Sequence, residues 1–189
     1  SLRSTESDGL FDVAADGQLA LENLTVRPGI GGTAIDVVGD FTARNVRFDG
    51  GGTGSAAVRG RADGVVWLDR CTVVSNRTTA VSLGGSATGH ALGCTVAAND
   101  TTPSGGSVVD LGDGVRFDFA NCTVAENDGG TVCNGVYLKG GTLVNSAVSG
   151  VAAPVNNVSG TVKSCCALSL ATDATTGNIQ AAPGLRDAA

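Results

Sequence analysis

The chain has 189 residues and a formal net charge of −6, with 29 glycines, no methionine and only two lysines, Lys139 and Lys163. An acidic, lysine-poor chain makes a poor nucleic-acid ligand, because phosphates are gripped chiefly by Arg and Lys. No run of roughly 18 apolar residues is present to cross a membrane, the 42% hydrophobic content is too high for disorder, and no Gly-X-Y period supports collagen.

In chain order, residues 1–9 open Ser-Leu-Arg-Ser without Met and read as a leader or cap. We expect the chain to be a processed or excised piece. From residue 10 to about 168, short runs of alternating apolar residues carry the strand period of two. One set reads Phe11-Asp-Val, Ile35-Asp-Val, Val81-Ser-Leu, Val109-Asp-Leu and Val136-Tyr-Leu. A second set follows each of these: Gln18-Leu-Ala-Leu, Phe41-Thr-Ala, Val66-Trp-Leu and Phe117-Asp-Phe. The third set is the most regular: Asn23-Leu-Thr-Val, Asn45-Val-Arg-Phe, Arg70-Cys-Thr-Val, Gly93-Cys-Thr-Val, Asn121-Cys-Thr-Val and the weaker Asn145-Ser-Ala-Val. Its anchors Leu24, Val46, Cys71, Cys94, Cys122 and Ser146 lie 22, 25, 23, 28 and 24 residues apart. Three of them continue to an Asn five positions on: Asn76, Asn99 and Asn127. Gly and Asp punctuate the runs, and the length differences fall in the loop after the Asn column. That loop spans Asp49–Thr53, Arg77–Thr79, Asp100–Gly106 and Asp128–Val132. Residues 169–189 form a closing segment.

A unit of three short strands cannot bury its apolar positions alone. Stacked in register, with equivalent strands pairing in parallel about 4.8 Å apart, successive units close a continuous core. The expected fold is therefore all-β: one domain over residues 1–189, a right-handed parallel β-helix of about seven coils with three strands per coil. The right hand follows from the strong preference of parallel β crossovers.

The Cys/Ser-Thr-Val-x-x-Asn coils resemble the right-handed β-helix repeats of secreted and surface proteins. They look most like polymorphic-outer-membrane-type adhesins and the related choice-of-anchor bacterial surface proteins. The tail from Asn178 to Asp187 is similar to the Asp-Pro-x-Leu segment that closes such repeats. The resemblance covers residues 10 to 187 and implies the fold; the same fold hosts adhesins, lyases, hydrolases and epimerases alike. The sequence departs from the adhesin pattern in lacking Gly-Gly-Ala-Ile motifs and a membrane anchor.

In-register stacking turns sequence offsets into surface columns, each of which can be read for chemistry. Cys71, Cys94 and Cys122 share an inward column, while Cys133, Cys165 and Cys166 sit in the C-terminal coils. All six are candidate disulfide partners; for the column the competing reading is buried thiols packed as small hydrophobes, because parallel Cβ vectors make a bridge awkward. Asn76, Asn99 and Asn127 form a candidate Asn ladder. Asn23, Asn76, Asn99, Asn121 and Asn157 head N-glycosylation sequons, though an inward ladder leaves no room for glycans at Asn76 and Asn99. An outward column reads Ala20, Thr42, Trp67, His90, Asp118, Thr142. Its Trp67, His90 and Asp118 form a candidate sugar-binding platform, the ring stacking and the polar pair hydrogen-bonding. The competing reading is a solvated His–Asp pair beside a Trp that covers a bend or an interface.

Another outward column reads Asp12, Asp36, Arg59, Ser82, Asp110, Tyr137, Asn156, and a third alternates Glu22, Arg44, Asp69. Alternating charge along a stack favours salt-bridge ladders over catalysis. Thr25, Thr72, Thr95 and Thr123 make a Thr column that Arg47 interrupts, unlike the double Thr ranks of ice binders. No Cys-x-x-Cys and no His partner supports a metal site, and no cofactor or catalytic residue is expected. The expected function is a non-catalytic extracellular structural or adhesive module, located at the cell surface as part of a larger protein or a self-assembling appendage. Expected partners are copies of itself or flanking β-helix sequence, joined end to end or laterally, and glycans; nucleic acid and direct membrane insertion are not expected. The alternative is a carbohydrate-binding or carbohydrate-active β-helix that uses the Trp67 face.

Overall fold

The computed structural model describes residues 2–3, 10–29, 32–50, 56–102, 106–128, 134–150, 153–167 and 176–181. Among them every regular element is a strand, and all pairings are parallel. Three seven-stranded sheets run along one solenoid. The first holds Phe11–Val13, Ile35–Val37, Val58–Gly60, Val81–Leu83, Val109–Leu111, Asn134–Leu138 and Ala153–Asn157. The second holds Gln18–Glu22, Asp40–Arg44, Val65–Asp69, Thr88–Leu92, Arg116–Ala120, Thr142–Val144 and Thr161–Lys163. The third holds Leu2–Arg3, Thr25–Arg27, Arg47–Asp49, Thr72–Val74, Thr95–Ala97, Thr123–Ala125 and Ala147–Val148.

The coil count is smaller than the expected seven. Six successive coils carry a strand in all three sheets, and the next carries two strands. Among the described residues, that last coil returns to the third sheet through a single bridge from Cys166 to Ala147, and the tail's Ile179 bridges Cys166 from the other side.

The inward residues of the three sheets meet in one core. Phe41, Phe48, Phe117 and Phe119 are its largest side chains, with Phe41 and Phe48 edge to face at 6.4 Å between ring centroids. Small residues alternate with large ones across the stack. On the second sheet, Gly89 lies between Val66 and Phe117, the residues it pairs with on either side. Its φ of +130° is open only to Gly, and a Cβ there would sit 1.9 Å from the Val66 carbonyl oxygen. This glycine holds the strand in register through the Gly-rich stretch that precedes His90.

Two corners share one device. Between the second and third sheets the chain turns at a single left-handed residue: Asn23, Asn45, Arg70, Gly93, Asn121, Asn145 or Ser164. Only one of these is Gly; Asn predominates because its side chain hydrogen-bonds locally and tolerates this conformation. Asn45 Nδ2 donates to Asn23 Oδ1 at 2.8 Å, and Asn145 Nδ2 donates to Asn121 Oδ1. Between the third and first sheets the left-handed residue is Gly50, Ser75, Ala98, Glu126 or Gly150. At both corners the next residue points inward and brings buried backbone groups that need partners.

At the first corner those partners come from Cys and Ser. Cys94 N–H donates to Cys122 Sγ, and Cys122 N–H to Ser146 Oγ. Each thiol or hydroxyl in turn faces two carbonyls, one two residues back and one in the preceding coil. For Cys122 these are Ala120 O at 3.1 Å and Ala91 O at 3.5 Å. Cys165 has the same pair, Lys163 O and Leu143 O, and its N–H donates to Asn178 Oδ1. The column therefore runs Leu24, Val46, Cys71, Cys94, Cys122, Ser146, Cys165 and ends, among the described residues, on Asn178.

At the second corner the same job falls to Asn. Asn76, Asn99 and Asn127 are buried. Asn76 Nδ2 donates to Asn99 Oδ1 at 2.8 Å, and Asn99 Nδ2 to Asn127 Oδ1 at 2.9 Å. The backbone N–H of Asn76 and of Asn99 donates to the same two oxygens. The repeated Cys-Thr-Val-x-x-Asn is thus two polar corner plugs spaced by one short strand.

This use of the thiols corrects the disulfide expectation. Cys71, Cys94, Cys122, Cys165 and Cys166 are free thiols. Those of the column stack with side chains parallel and engage corner backbone instead of each other's bonding geometry. Cys133 lies outside the described residues. Hydrogen bonding to Cys94 and burial push the Cys71 thiol up, and burial does the same for Cys165. Cys94 is pushed up to about 12, mainly through its hydrogen bond with Cys122. Asn76 and Asn99, having no exposed amide, are also removed as glycan acceptors, whereas Asn23, Asn121 and Asn157 are exposed.

Candidate functional site

The outward column of the second sheet assembles residue by residue through parallel pairing. Ala20 pairs with Thr42, Thr42 with Trp67, Trp67 with His90, His90 with Asp118 and Asp118 with Thr142. Trp67, at 46% exposure, is the most exposed large aromatic side chain. The His90 ring tilts against it, with centroids 4.4 Å apart and planes at 54°. Beyond His90 the surface dips into a hollow of about 200 Å³ lined by His90, Ala91, Leu92, Asp118 and Ala120. Leu92 and Ala120 belong to the neighbouring outward column, headed by Glu22, Arg44 and Asp69. Sequence reasoning had named that column for its charges and had missed its apolar half; the signal was the switch from Asp69 to Leu92 at one register position.

The charged half of that column is spent internally. Arg44 bridges Glu22 at 3.2 Å and Asp69 at 3.4 Å, and Arg70 reaches Asp69 as well. On the third sheet, Arg27 and Arg47 converge on Asp49, and at the corner Gln18 donates to Asp40. By contrast, no hydrogen bond or ion pair within the described residues joins the Trp67 indole, the His90 imidazole or the Asp118 carboxylate to the chain. His90 and Asp118 are neighbours by register without being hydrogen-bonded to each other.

The first sheet carries the remaining candidates. Asp12, Asp36, Arg59, Ser82, Asp110, Tyr137 and Asn156 form one outward row in that order. Asp36 is only 6% exposed and is held by Arg59 and by Arg61, whose Nε donates to it at 2.8 Å. Burial raises the Asp36 carboxyl, but the hydrogen bonds and charges of the two guanidinium groups more than offset this and hold it below its ordinary value. A carboxylate so firmly ionised cannot share a proton with Asp12 or act as a general acid near neutrality. Arg61 escaped notice in the sequence because it stands in a turn, outside the strand alternation. Asp110 lies further along the row; burial raises its carboxyl, opposed by the charge of Lys139. Lys139 itself lies 5.9 Å from the Tyr137 ring centroid and 3.7 Å from Asp113.

A second, polar hollow of about 400 Å³ lies at the edge of the third sheet, lined by Asn23, Leu24, Thr25, Asn45 and Arg47. The Thr column beside it runs Thr25, Arg47, Thr72, Thr95, Thr123, Ala147, so Arg47 interrupts it and Ala147 ends it. Compared with known proteins, the chain matches no family model, no curated protein and no solved structure.

Proposed function

We propose that this β-solenoid is a non-catalytic structural and adhesive module that works at the cell surface, in the manner of the adhesin-type β-helix repeats its coils resemble. The observation that carries the reading is the fate of its charged side chains. Glu22, Arg44, Asp69, Asp36, Arg59, Arg61, Arg27, Arg47 and Asp49 all pair from coil to coil or within their corner. They clamp neighbouring coils together and solvate the flat faces, which suits a stiff rod better than a reaction centre. Asp36, a member of the carboxylate pair with Asp12, is locked in a two-arginine clamp. Sequons on exposed corners at Asn23, Asn121 and Asn157 support an extracellular setting. The column cysteines do not bear on compartment, since their role at the corners is independent of it. Partners in this reading are copies of the chain or flanking β-helix sequence.

The test pairs turnover with retention. Purified protein is incubated with a panel of wall and matrix polysaccharides, and reducing ends and unsaturated products are followed; in parallel, its retention on surfaces coated with the same polymers is measured. Saturable retention without product supports an adhesive module. Product formation above a heat-treated control, or no retention on any surface, rejects it.

A further inference from the structure

We infer that the Trp67–His90–Asp118 shelf, with the hollow beside it, is a binding subsite for one uncharged pyranose ring of a glycan. This rests on the adhesive reading and names its partner. A pyranose is amphipathic: one face of ring C–H groups, and a rim of hydroxyls. The shelf offers the complement within two coil spacings, about 10 Å. The exposed indole of Trp67, tilted against His90, supplies an apolar face of two rings. Leu92 and Ala120 extend it as the floor of the hollow. Asp118 stands at the rim as a charged acceptor, and the His90 ring supplies a donor and an acceptor.

The second observation is energetic. Elsewhere on this sheet, Glu22, Arg44 and Asp69 are consumed in a ladder that ties coil to coil. On this shelf the indole N–H, the imidazole and the carboxylate have no polar partner among the described residues, so their hydrogen bonds can be made to a ligand without breaking any there. Charge sets the sugar class. Asp118 on the rim and a chain net charge of −6 disfavour uronates and other acidic sugars. Shape argues against a protein partner. The apolar patch is about two residues wide, Trp67 with Leu92 and Ala120 of the next column, far from the roughly 800 Å² per partner of a standard interface.

Trp67 is the single tryptophan of the chain, so its emission reports on the subsite directly. The wild-type protein is titrated with methyl β-galactoside and methyl β-glucoside, with glucuronate as the charged control. We expect a saturable emission shift with at least one neutral glycoside, with a dissociation constant on the order of 1 mM, ordinary for one ring on an open shelf. Glucuronate should give none. His90→Ala and Asp118→Ala keep the fluorophore and should each weaken binding about tenfold, with unchanged circular dichroism. No saturable shift, a response equal for glucuronate, or indifference to both substitutions overturns the subsite. An emission change that follows protein concentration without sugar also overturns it, since a second copy then covers the shelf. Retention on polymer-coated surfaces separates the two readings. Wild-type retention that Trp67→Ala leaves intact sinks the subsite and spares the adhesive module, while a wild type that is never retained sinks the module itself.

Discussion

Asn127→Ala probes the corner device at its most connected point. Asn127 Oδ1 accepts the Asn99 backbone N–H at 3.0 Å and the Asn99 side-chain amide at 2.9 Å. Its own Nδ2 donates to Val96 O at 3.0 Å and Ala125 O at 2.9 Å. Alanine removes all four bonds and leaves the Asn99 N–H and two carbonyls short of a partner where water does not reach. Each such buried group costs about 1–2 kcal/mol. The sum is about 3–6 kcal/mol, a large share of the roughly 5–15 kcal/mol that holds an ordinary domain. Cys122→Ser, one corner earlier in the same coil, is the matched control. Serine already fills that column at Ser146 with equivalent contacts, Val144 O at 2.8 Å and Phe119 O at 3.4 Å. Its cost should stay within about 1 kcal/mol. Urea unfolding followed by both circular dichroism and Trp67 emission measures each value and tests whether the solenoid unfolds as one unit. If Asn127→Ala costs less than about 1 kcal/mol, or no more than Cys122→Ser, the polar-plug account of the corners is wrong.

Three further outcomes follow from other parts of the coil. Gly89→Ala, which would drive a Cβ against the Val66 carbonyl at an unfavourable φ, should cost about 3 kcal/mol and alter Trp67 emission by moving His90 out of register; an unchanged melting temperature and spectrum would contradict this. Asp36→Asn should cost about 2 kcal/mol, because Arg59 and Arg61 lose their shared counter-charge yet keep some access to water. The folded carboxyl of Asp36 lies below its ordinary 3.8, so its contribution is present above about pH 4 and is lost as pH falls through the lowered value. Denaturation curves below pH 4 should therefore be flatter in the variant. Cys71 and Cys94 are raised above the ordinary 9.0, Cys94 to about 12, while the contact with Cys94 lowers Cys122. Two thiols raised against one lowered make stability fall as pH rises from about 9 toward 12. Among the described thiols, alkylation at pH 8 should reach half-buried Cys166 first and leave Cys71 and Cys94 untouched until urea unfolds the chain; early labelling of either would refute their burial.

Much of this was legible in the sequence, for a specific reason. A parallel solenoid has no freedom of strand order, so a repeat offset translates directly into a spatial neighbour. Placing Trp67, His90 and Asp118 on consecutive strands needed only the anchors at Cys71, Cys94 and Cys122. What stayed hidden lies off the alternating pattern. Arg61 reaches Asp36 from a turn. Asn178 joins the Cys column from a tail whose spacing matches no other coil. Leu92 and Ala120 had to be seen beside His90 before their apolar character meant anything. For the Cys71, Cys94 and Cys122 column the sequence left both bridges and packed thiols open, because the backbone groups a corner thiol serves leave no trace in a sequence.

The corner plugs also give the solenoid a direction. In each described case the later coil's side chain accepts the earlier coil's inward N–H and donates to its carbonyl, as Asn127 does for Asn99 and Val96, and Cys122 for Cys94 and Ala91. From Cys71 onward, each coil is therefore chemically completed by its successor. On a ribosome or a translocon, a newly emerged coil would wait with unsatisfied buried groups until the following one arrives, so order propagates behind the growing chain in a single sense. At these corners, removing coils from the C-terminal side orphans inward backbone N–H groups, whereas removing them from the N-terminal side orphans side-chain donors.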